Sequence, residues 1–393
     1  MDTTTIHRSG RLRILVLGYI IRGPMGGVTW PYLQYVLGLH QMGHDVYYLE
    51  DSGDTRYACY DPERNAVDTD PSYGLQYAQR VFGQVGLAEK WAYYDYHQQQ
   101  WQGPLASKVM DKIAGADLLL NLSGANPIRP WLAEVPRRVL VDTDPAFTQV
   151  DILTDPGKRQ FAAQHTDFFT FATNIGNATC KIPDDGFSWQ PTRQPVCLDA
   201  WKIVPSPPSA PWTTVMQWDS YQVRDYLGQT YGMKSWSFQP FIRLPQWLPH
   251  ETFELALGNA KSSAGQLRQG GWRVVNPLVP TRTPWTYQQY IQASKGEWSV
   301  AKHGYVVSHG GWFSERSTGY LASGKPVVVQ ETGFSEVIET GRGLLTFRTA
   351  EEAVEAIQEV NKDYVFHCKE ARRLVEENFE ATQVLETLLN NVS

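Results

Sequence analysis

Cysteine is scarce: four residues in 393, Cys59, Cys180, Cys197 and Cys368, with no CxxC pair among them. This spacing argues against a zinc site and a disulfide framework, and it fits the reducing cytoplasm. Long apolar runs are missing too, and the opening MDTTTIHRSG is polar, so neither a membrane span nor a signal peptide is expected. There is no excess of base. Lys and Arg number 35 against 41 Asp and Glu, a net charge of -6 with 19% charged residues. Such a chain has no global field for nucleic acid, so an anionic partner has to be met by local groups and a small ligand fits better than a polymer. Aromatics are plentiful, with 14 Trp and 20 Tyr. They serve core packing or stacking on sugar and base rings, and composition does not divide the two.

No repeat of short fixed period is present, and the length suits two domains of ordinary size. RLRILVLGY from Arg11 reads as a buried strand, followed by the loop IIRGPMGGVTW, a helix from about Pro31 to Met42, and the strand DVYYLED. In that loop Gly26 and Gly27 let backbone approach a ligand or partner, or simply make a tight turn. GxGxxG spacing is absent, which sets a dinucleotide reading aside. Residues 52–103 are polar and aromatic, with one amphipathic helix from Tyr73, and read as an insertion or substrate-facing loop. A helix over Leu105–Ala114 leads to the strand ADLLLNLSG. RRVLVDTDPAF then delivers Asp142 and Asp144 to a strand end, with a turn role favoured for Asp142 and Asp144 kept as a candidate base.

A proline-rich connector, CKIPDDGFSWQPTRQPVCLDAWKIVPSPPSAPW, separates this half from a second run of alternating strands and helices. The expected division is residues 1–204, 205–370, and a C-terminal helix over 371–393 returning to the first domain. The helical pattern from Tyr364 to Leu389 reads as one long amphipathic helix. The fold class expected is α/β, two doubly wound parallel sheets of Rossmann type.

The second half is organised around KHGYVVSHGGWFSERSTGYLASGKPVVVQETGF, Lys302 to Phe334. It reads as a strand at Tyr305–Val307, a glycine turn at His309, Gly310 and Gly311, a helix capped by Ser314 and stopped by Gly324 and Pro326, and a buried strand Val327–Val329. Such a turn aims unpaired N–H groups and the positive end of a helix at one point, as an anion such as a diphosphate requires.

GWFSERSTGYLASGKPVVVQETGFSEVIETGRGLLTFRTAEEAVEAI resembles the GT-B glycosyltransferases, and within them family 4-like bacterial enzymes of the "group 1" kind. The resemblance implies a nucleotide diphosphate sugar lying between the domains, an acceptor met mainly by the first, and no cofactor or metal. It places Ser220, Gly310, Gly311, Ser314, Arg316 and Ser317 at the diphosphate, and Gln330, Glu331 and Thr332 at the donor sugar. Lys302, His303, Tyr305 and His309 fall near the nucleotide and Gly26 and Gly27 in the acceptor-side loop; a direct displacement needs a base from the first domain, for which Asp144 is the candidate. For His309 a backbone-bonded histidine weighs at least as much as a donor contact, for Trp312 packing outweighs stacking, and for Glu331 the competing role is a helix N-cap. The Glu-x7-Glu pair usual in family 4 is absent, since Gly311 and Gly319 hold those positions. An epimerase, a sugar phosphorylase or a non-catalytic sugar or nucleotide binder on the same fold are the other readings.

Overall fold

The computed structural model describes residues 10–56, 58–207, 209–260 and 263–393. Two sheets organise them. The first runs in the order Trp189–Pro191, Asp167–Thr170, Arg137–Asp142, Leu118–Leu122, Arg13–Leu17, Asp45–Asp51, Trp91–Asp95, Gln100–Gln102, parallel except for the last pair. The second runs Arg273–Val275, Phe253–Gly258, Trp212–Gln217, Gly296–Ser299, Val327–Gln330, Leu344–Phe347, parallel throughout. Numbered within its own half, the second order is 3-2-1-4-5-6, the doubly wound arrangement. The fold class expected from the sequence is therefore present.

Both faces of each sheet are covered, so the central strands are buried along nearly their whole length. Ile14 and Val16 pack with the helix Gly26–Gln41 on one face, while Leu15 and Leu17 pack with Val109–Ala114 on the other. In the second sheet Val328, Trp298 and Phe347 enter a core with Trp212, Trp218 and Trp272. Trp298 lies 4.9 Å from Trp272 and stacks on Phe347. Much of the aromatic excess is thus spent in this core.

Val327 and Val329 face the opposite way, into a cluster continuous with the first sheet's core through Tyr287, Ile291 and Tyr320. The halves meet tightly at the first helix. Gly26 N–H donates to the Thr281 carbonyl at 2.6 Å, and Trp30 Nε1 to that of Pro284 at 2.8 Å. A Cβ on Gly26 would overlap the Thr283 carbonyl oxygen, so its glycine serves the approach of the two halves.

Several elements differ from expectation. The strand placed at Tyr305–Val307 is a helix, His303–Ser308, and the strand before it is Gly296–Ser299. Glu297, wholly buried, disguised that strand. The first helix begins at Gly26 and carries Pro31 inside it rather than at its start. In the polar stretch, Trp91–Asp95 is a fully buried strand and Gln100–Gln102 its antiparallel edge. The C-terminal pattern splits into Tyr364–Asn378 and Ala381–Asn390, because Phe379 and Ala381 bond to Val196 at 2.7 and 3.0 Å. The second piece packs on the first helix, Leu385 against Gly38. Among the described residues no helix is long and apolar enough to cross a membrane.

Candidate active site

In doubly wound sheets ligands bind at the strand carboxyl ends, where the order reverses. In the first sheet the reversal lies between Arg13–Leu17 and Leu118–Leu122, in the second between Trp212–Gln217 and Gly296–Ser299. The two crevices face each other. Positive φ at Ser123 (59°), Ala146 (71°) and His309 (49°), unusual for residues with a Cβ, marks the loops that turn there.

Arg316 stands at the second reversal. Its Nε donates to Glu297 at 2.6 Å, and its terminal nitrogens reach the Val215 carbonyl at 3.1 Å and Ser299 Oγ at 2.7 Å. Burial, the largest single influence, works against its charge, but Glu297 together with Tyr287 and Tyr320 leaves the guanidinium pKa raised. Lys234 lies near Arg316, Lys302, Glu297 and Glu315. Burial first, then the two neighbouring cations, hold its ammonium well below the usual lysine range. Burial likewise raises the Glu315 carboxyl, against the pull of Arg316, Lys234 and Lys302.

Asp144, from the first sheet, meets Lys302 of the second half at 2.9 and 3.1 Å. The phenols of Tyr221 and Tyr305 donate to the same carboxylate. Burial, followed by Asp144 itself, pushes both phenols far above the normal tyrosine value, so they remain donors. Beside them Phe147 packs edge-on to Tyr221 and Tyr305, and Arg224 pairs with Asp151 at 2.5 Å. Asp142 braces its own turn: it accepts from Asp144 N–H, Thr148, Gln149 and Thr170.

The helix Glu315–Ala322 forms as the sequence predicts, Ser314 Oγ accepting from Arg316 N–H. The glycine turn before it is covered. Thr173 donates to the Gly311 carbonyl, Asn174 N–H to that of Gly310, and Gly311 N–H to Thr332 at 2.9 Å. Beside this turn Ser314, Arg316, Ser317, Gln330 and Thr332 line a cavity of only 20 Å³, room for about one water. Ser317 Oγ is buried there without a hydrogen-bond partner, and Glu331 Oε2 lies 3.8 Å from Arg348.

Glu331 Oε1 accepts from Thr332 and Gly333 N–H at 3.0 and 2.6 Å, a turn brace, while Gln330 accepts from Ala301 N–H at 3.2 Å. Thr332 donates to the Trp312 carbonyl. Trp312 stacks on Tyr305 at 4.1 Å and donates to the Thr143 carbonyl, so it packs and ties the halves together. His309 is a helix C-cap with Nδ1 3.4 Å from Glu336. His303 accepts from Gly232 N–H at 3.3 Å, and Ser220 is exposed on its loop.

The structure therefore brings Asp144, Lys302 and Tyr305 into one cluster and gathers Ser314, Arg316, Ser317, Gln330 and Thr332 around a second. It leaves Ser220 and His303 outside both. Gly26 and Gly27 sit on the second half: a Cβ on Gly27 would lie 3.1 Å from the Tyr287 ring. Sequence reasoning missed Lys234, Glu297 and Tyr221. The alternation MQW in the strand before Tyr221 and the isolated lysine in MKSW offered no pattern to single them out.

A larger cavity, 260 Å³, opens between the halves and is lined by Gly27, Tyr32, Tyr35, Ser123 and Thr143 of the first and Glu315 of the second. A space of 340 Å³ at the opposite strand ends, near Arg11 and Asp117, has none of these elements. The missing glutamate pair has a steric reason. A side chain on Gly311 (φ 79°) would overlap Thr173 and lie 3.0 Å from Asn174, and one on Gly319 would lie 3.0 Å from Trp201.

No family model matches the chain, and no curated protein matches it in sequence. Solved structures match over nearly the whole length. An alpha-glucosyltransferase in complex with UDP-glucose and DNA containing an abasic site is 10% identical, covering 98% of this chain and 100% of that one, at a TM-score of 0.60. HepE from Anabaena, in complex with UDP and glucose, is 12% identical over 96% and 98%, at 0.54. Sucrose-phosphate synthase from Thermosynechococcus elongatus is 10% identical over 96% and 97%, at 0.55. At such identities the likeness is one of fold: the chain has the two-domain GT-B fold of these glycosyltransferases.

Proposed function

We propose that the protein is a glycosyltransferase of the hexosyl class, which moves a sugar from a nucleotide diphosphate sugar to an acceptor held by the first domain. The observation that carries this reading is the convergence of Lys302 and Arg316 at the switch point of the second sheet, facing the crevice of the first. A diphosphate leaving group is neutralised by such cations and by the helix end at Ser314, without need of a metal. That the neighbours in fold hold UDP and UDP-glucose supports UDP as the nucleotide. Ser317 Oγ, buried without a hydrogen-bond partner, suits a donor hydroxyl or a phosphate oxygen. A cytoplasmic site fits four free cysteines. Kinship to family 4-like enzymes within the fold is part of the same proposal.

A base has to take the acceptor's proton if displacement is direct. Asp144 does so only on releasing Lys302, Tyr221 and Tyr305, whereas Glu315 lines the larger cavity with Arg316, Lys234 and Lys302 acting on its charge. Glu315 is the better-placed carboxylate, with Asp144 as the alternative.

The test is a thermal-shift screen against UDP, GDP, ADP and dTDP sugars, followed by assay of nucleotide release with EDTA present. Stabilisation by one nucleotide series and slow, chelator-resistant release of its diphosphate are expected. Release of an altered sugar nucleotide would mean an epimerase, and binding without any turnover a non-catalytic binder, the reading favoured by the packed Gly311 and Gly319.

A further inference from the structure

Between its strands Asp167–Thr170 and Trp189–Pro191 the first sheet sends out a segment that reaches the second half. Residues 173–182 of this segment lie over the glycine turn. Lys181 N–H donates to the Ser308 carbonyl at 2.7 Å, Asn174 N–H to that of Gly310 at 3.0 Å and Thr173 Oγ1 to that of Gly311 at 2.9 Å. Thr179 Oγ1 donates to Glu336 at 2.9 Å, and the Asn174 amide to the Gly333 carbonyl at 2.9 Å and to that of His309 at 3.4 Å. Each of these bonds runs from a first-domain donor to a second-domain acceptor. Side chains are missing where the segment lies. A Cβ on Gly310 would come 2.6 Å from Ile182, one on Gly311 2.3 Å from Thr173 Oγ1 and one on Gly333 2.7 Å from Asn174 Nδ2. Gly311 and Gly333 have φ of 79° and 100°, which favours glycine by itself. Gly310 has no such reason, so its bare Cα serves the approach of Ile182.

Asn174 is the clasp of this contact. It is wholly buried, and it holds Gly310 with its backbone and Gly333 with its side chain. Those two turns carry the walls of the 20 Å³ cavity beside Arg316: Trp312, Phe313 and Ser314 follow the first, while Thr332 and Phe334 flank Gly333. One residue of the first domain thus draws together both sides of a space in the second. Asn174 Oδ1 has no hydrogen-bond partner, and turning the amide over would set its oxygen against the Gly333 carbonyl. The clasp is incompletely satisfied, which favours its release. A diphosphate does not enter a space for one water, and widening it parts the two turns that Asn174 joins. We propose that residues 173–182 form an autoinhibitory strap, which holds the space at Arg316 shut through Asn174 and leaves the glycine turn before a nucleoside diphosphate enters. This inference rests on the transferase reading above and adds to it the step that limits donor entry.

The experiment uses the full chain and UDP. Association is followed by stopped-flow tryptophan fluorescence, affinity by calorimetry, and amide exchange over residues 173–182 by mass spectrometry. Asn174→Ala removes the side-chain clasp, and Thr173→Val keeps the shape of its residue while removing the hydroxyl. Asn174→Ala should bind UDP about three- to tenfold faster than the wild type, as expected for the loss of one or two hydrogen bonds that oppose entry, and Thr173→Val should be faster by a smaller factor. In the wild type, UDP should speed exchange across the strap. A contact that serves stability alone would lower the thermal midpoint in both variants and leave the association rate where it was. Unchanged rates in folded variants, or a strap equally protected with and without UDP, would overturn the proposal while leaving the transferase reading in place. Should Asn174→Ala not fold, Thr173→Val and the wild-type exchange decide the matter. If neither the wild type nor the variants bind UDP, the transferase reading falls and takes the inference with it.

Discussion

Lys302 of the second domain donates to both oxygens of the Asp144 carboxylate in the first, at 2.9 and 3.1 Å. With Tyr221 and Tyr305 on the same carboxylate, a residue expected to be a base and two expected near a nucleotide close the cleft on each other. The cavity beside Ser314 and Arg316 is 20 Å³. On the transferase reading proposed above, donor binding would require the pair to separate, and an incoming diphosphate would compete with Asp144 for Lys302.

Asp144→Asn tests both roles at once. The pair is partly exposed, so its loss should cost about 1–2 kcal/mol, while association with UDP, followed by stopped-flow tryptophan fluorescence, should become faster. Nucleotide release from a UDP-sugar should persist if Asp144 is a latch. Its loss in a folded variant would instead establish Asp144 as the base.

Arg316→Ala should destabilise by about 3–5 kcal/mol, because it strands Glu297, wholly buried, without its counter-charge. The double change Glu297→Met with Arg316→Met removes both charges and should recover most of that stability in urea unfolding. Calorimetric titration should then show UDP affinity down at least about tenfold. A double variant that binds UDP like the wild type would remove Arg316 from the diphosphate site.

The two glycines of the first helix should behave differently. Gly26→Ala forces the Thr283 carbonyl aside and should cost about 3 kcal/mol, read as a lowered thermal midpoint. Gly27→Ala meets only the edge of the Tyr287 ring at 3.1 Å and should cost much less. Equal effects would mean that the contact between the domains at Thr283 is not held in solution.

His165 predicts an acid limit to stability. It is buried with Nε2 accepting from Asn121 at 3.1 Å and Nδ1 donating to the Ala162 carbonyl at 3.2 Å, a neutral arrangement. Burial lowers its pKa to about 4 from the usual 6.5. Between these values the unfolded chain binds the extra proton, so stability rises with pH: the contribution is complete above 6.5 and lost as pH falls towards 4. The size is about 3 kcal/mol. Urea midpoints at pH 4 and 7 should differ more for the wild type than for His165→Gln, and parallel profiles would refute the assignment.

Most of the architecture was legible in the residues because it depends on local pattern. The buried strands Arg13–Leu17, Leu118–Leu122, Phe253–Gly258 and Val327–Gln330 are mostly apolar, each with a single polar residue (Arg13, Asn121, Glu254, Gln330), and the helix at Glu315 carries its own cap and stop signals. Gly296–Ser299 was not legible, because its glutamate is tolerated in the core only by virtue of Arg316, nineteen residues later. Trp91–Asp95 was hidden in the same way, its aromatic and polar residues buried by neighbours far along the chain.

The sequence by itself determined the alternation of strands and helices, the glycine turn and helix cap around Ser314, and the supply of cations to one stretch. Only the tertiary structure decided what these groups face. It set Asp144 against Lys302, gave Tyr35 and Glu315 a cavity to share, and filled the positions of the expected glutamates with Thr173 and Trp201. The reason is physical: secondary structure follows from residues a few places apart, whereas charge pairing, desolvation and cavities depend on groups that meet only when two domains close.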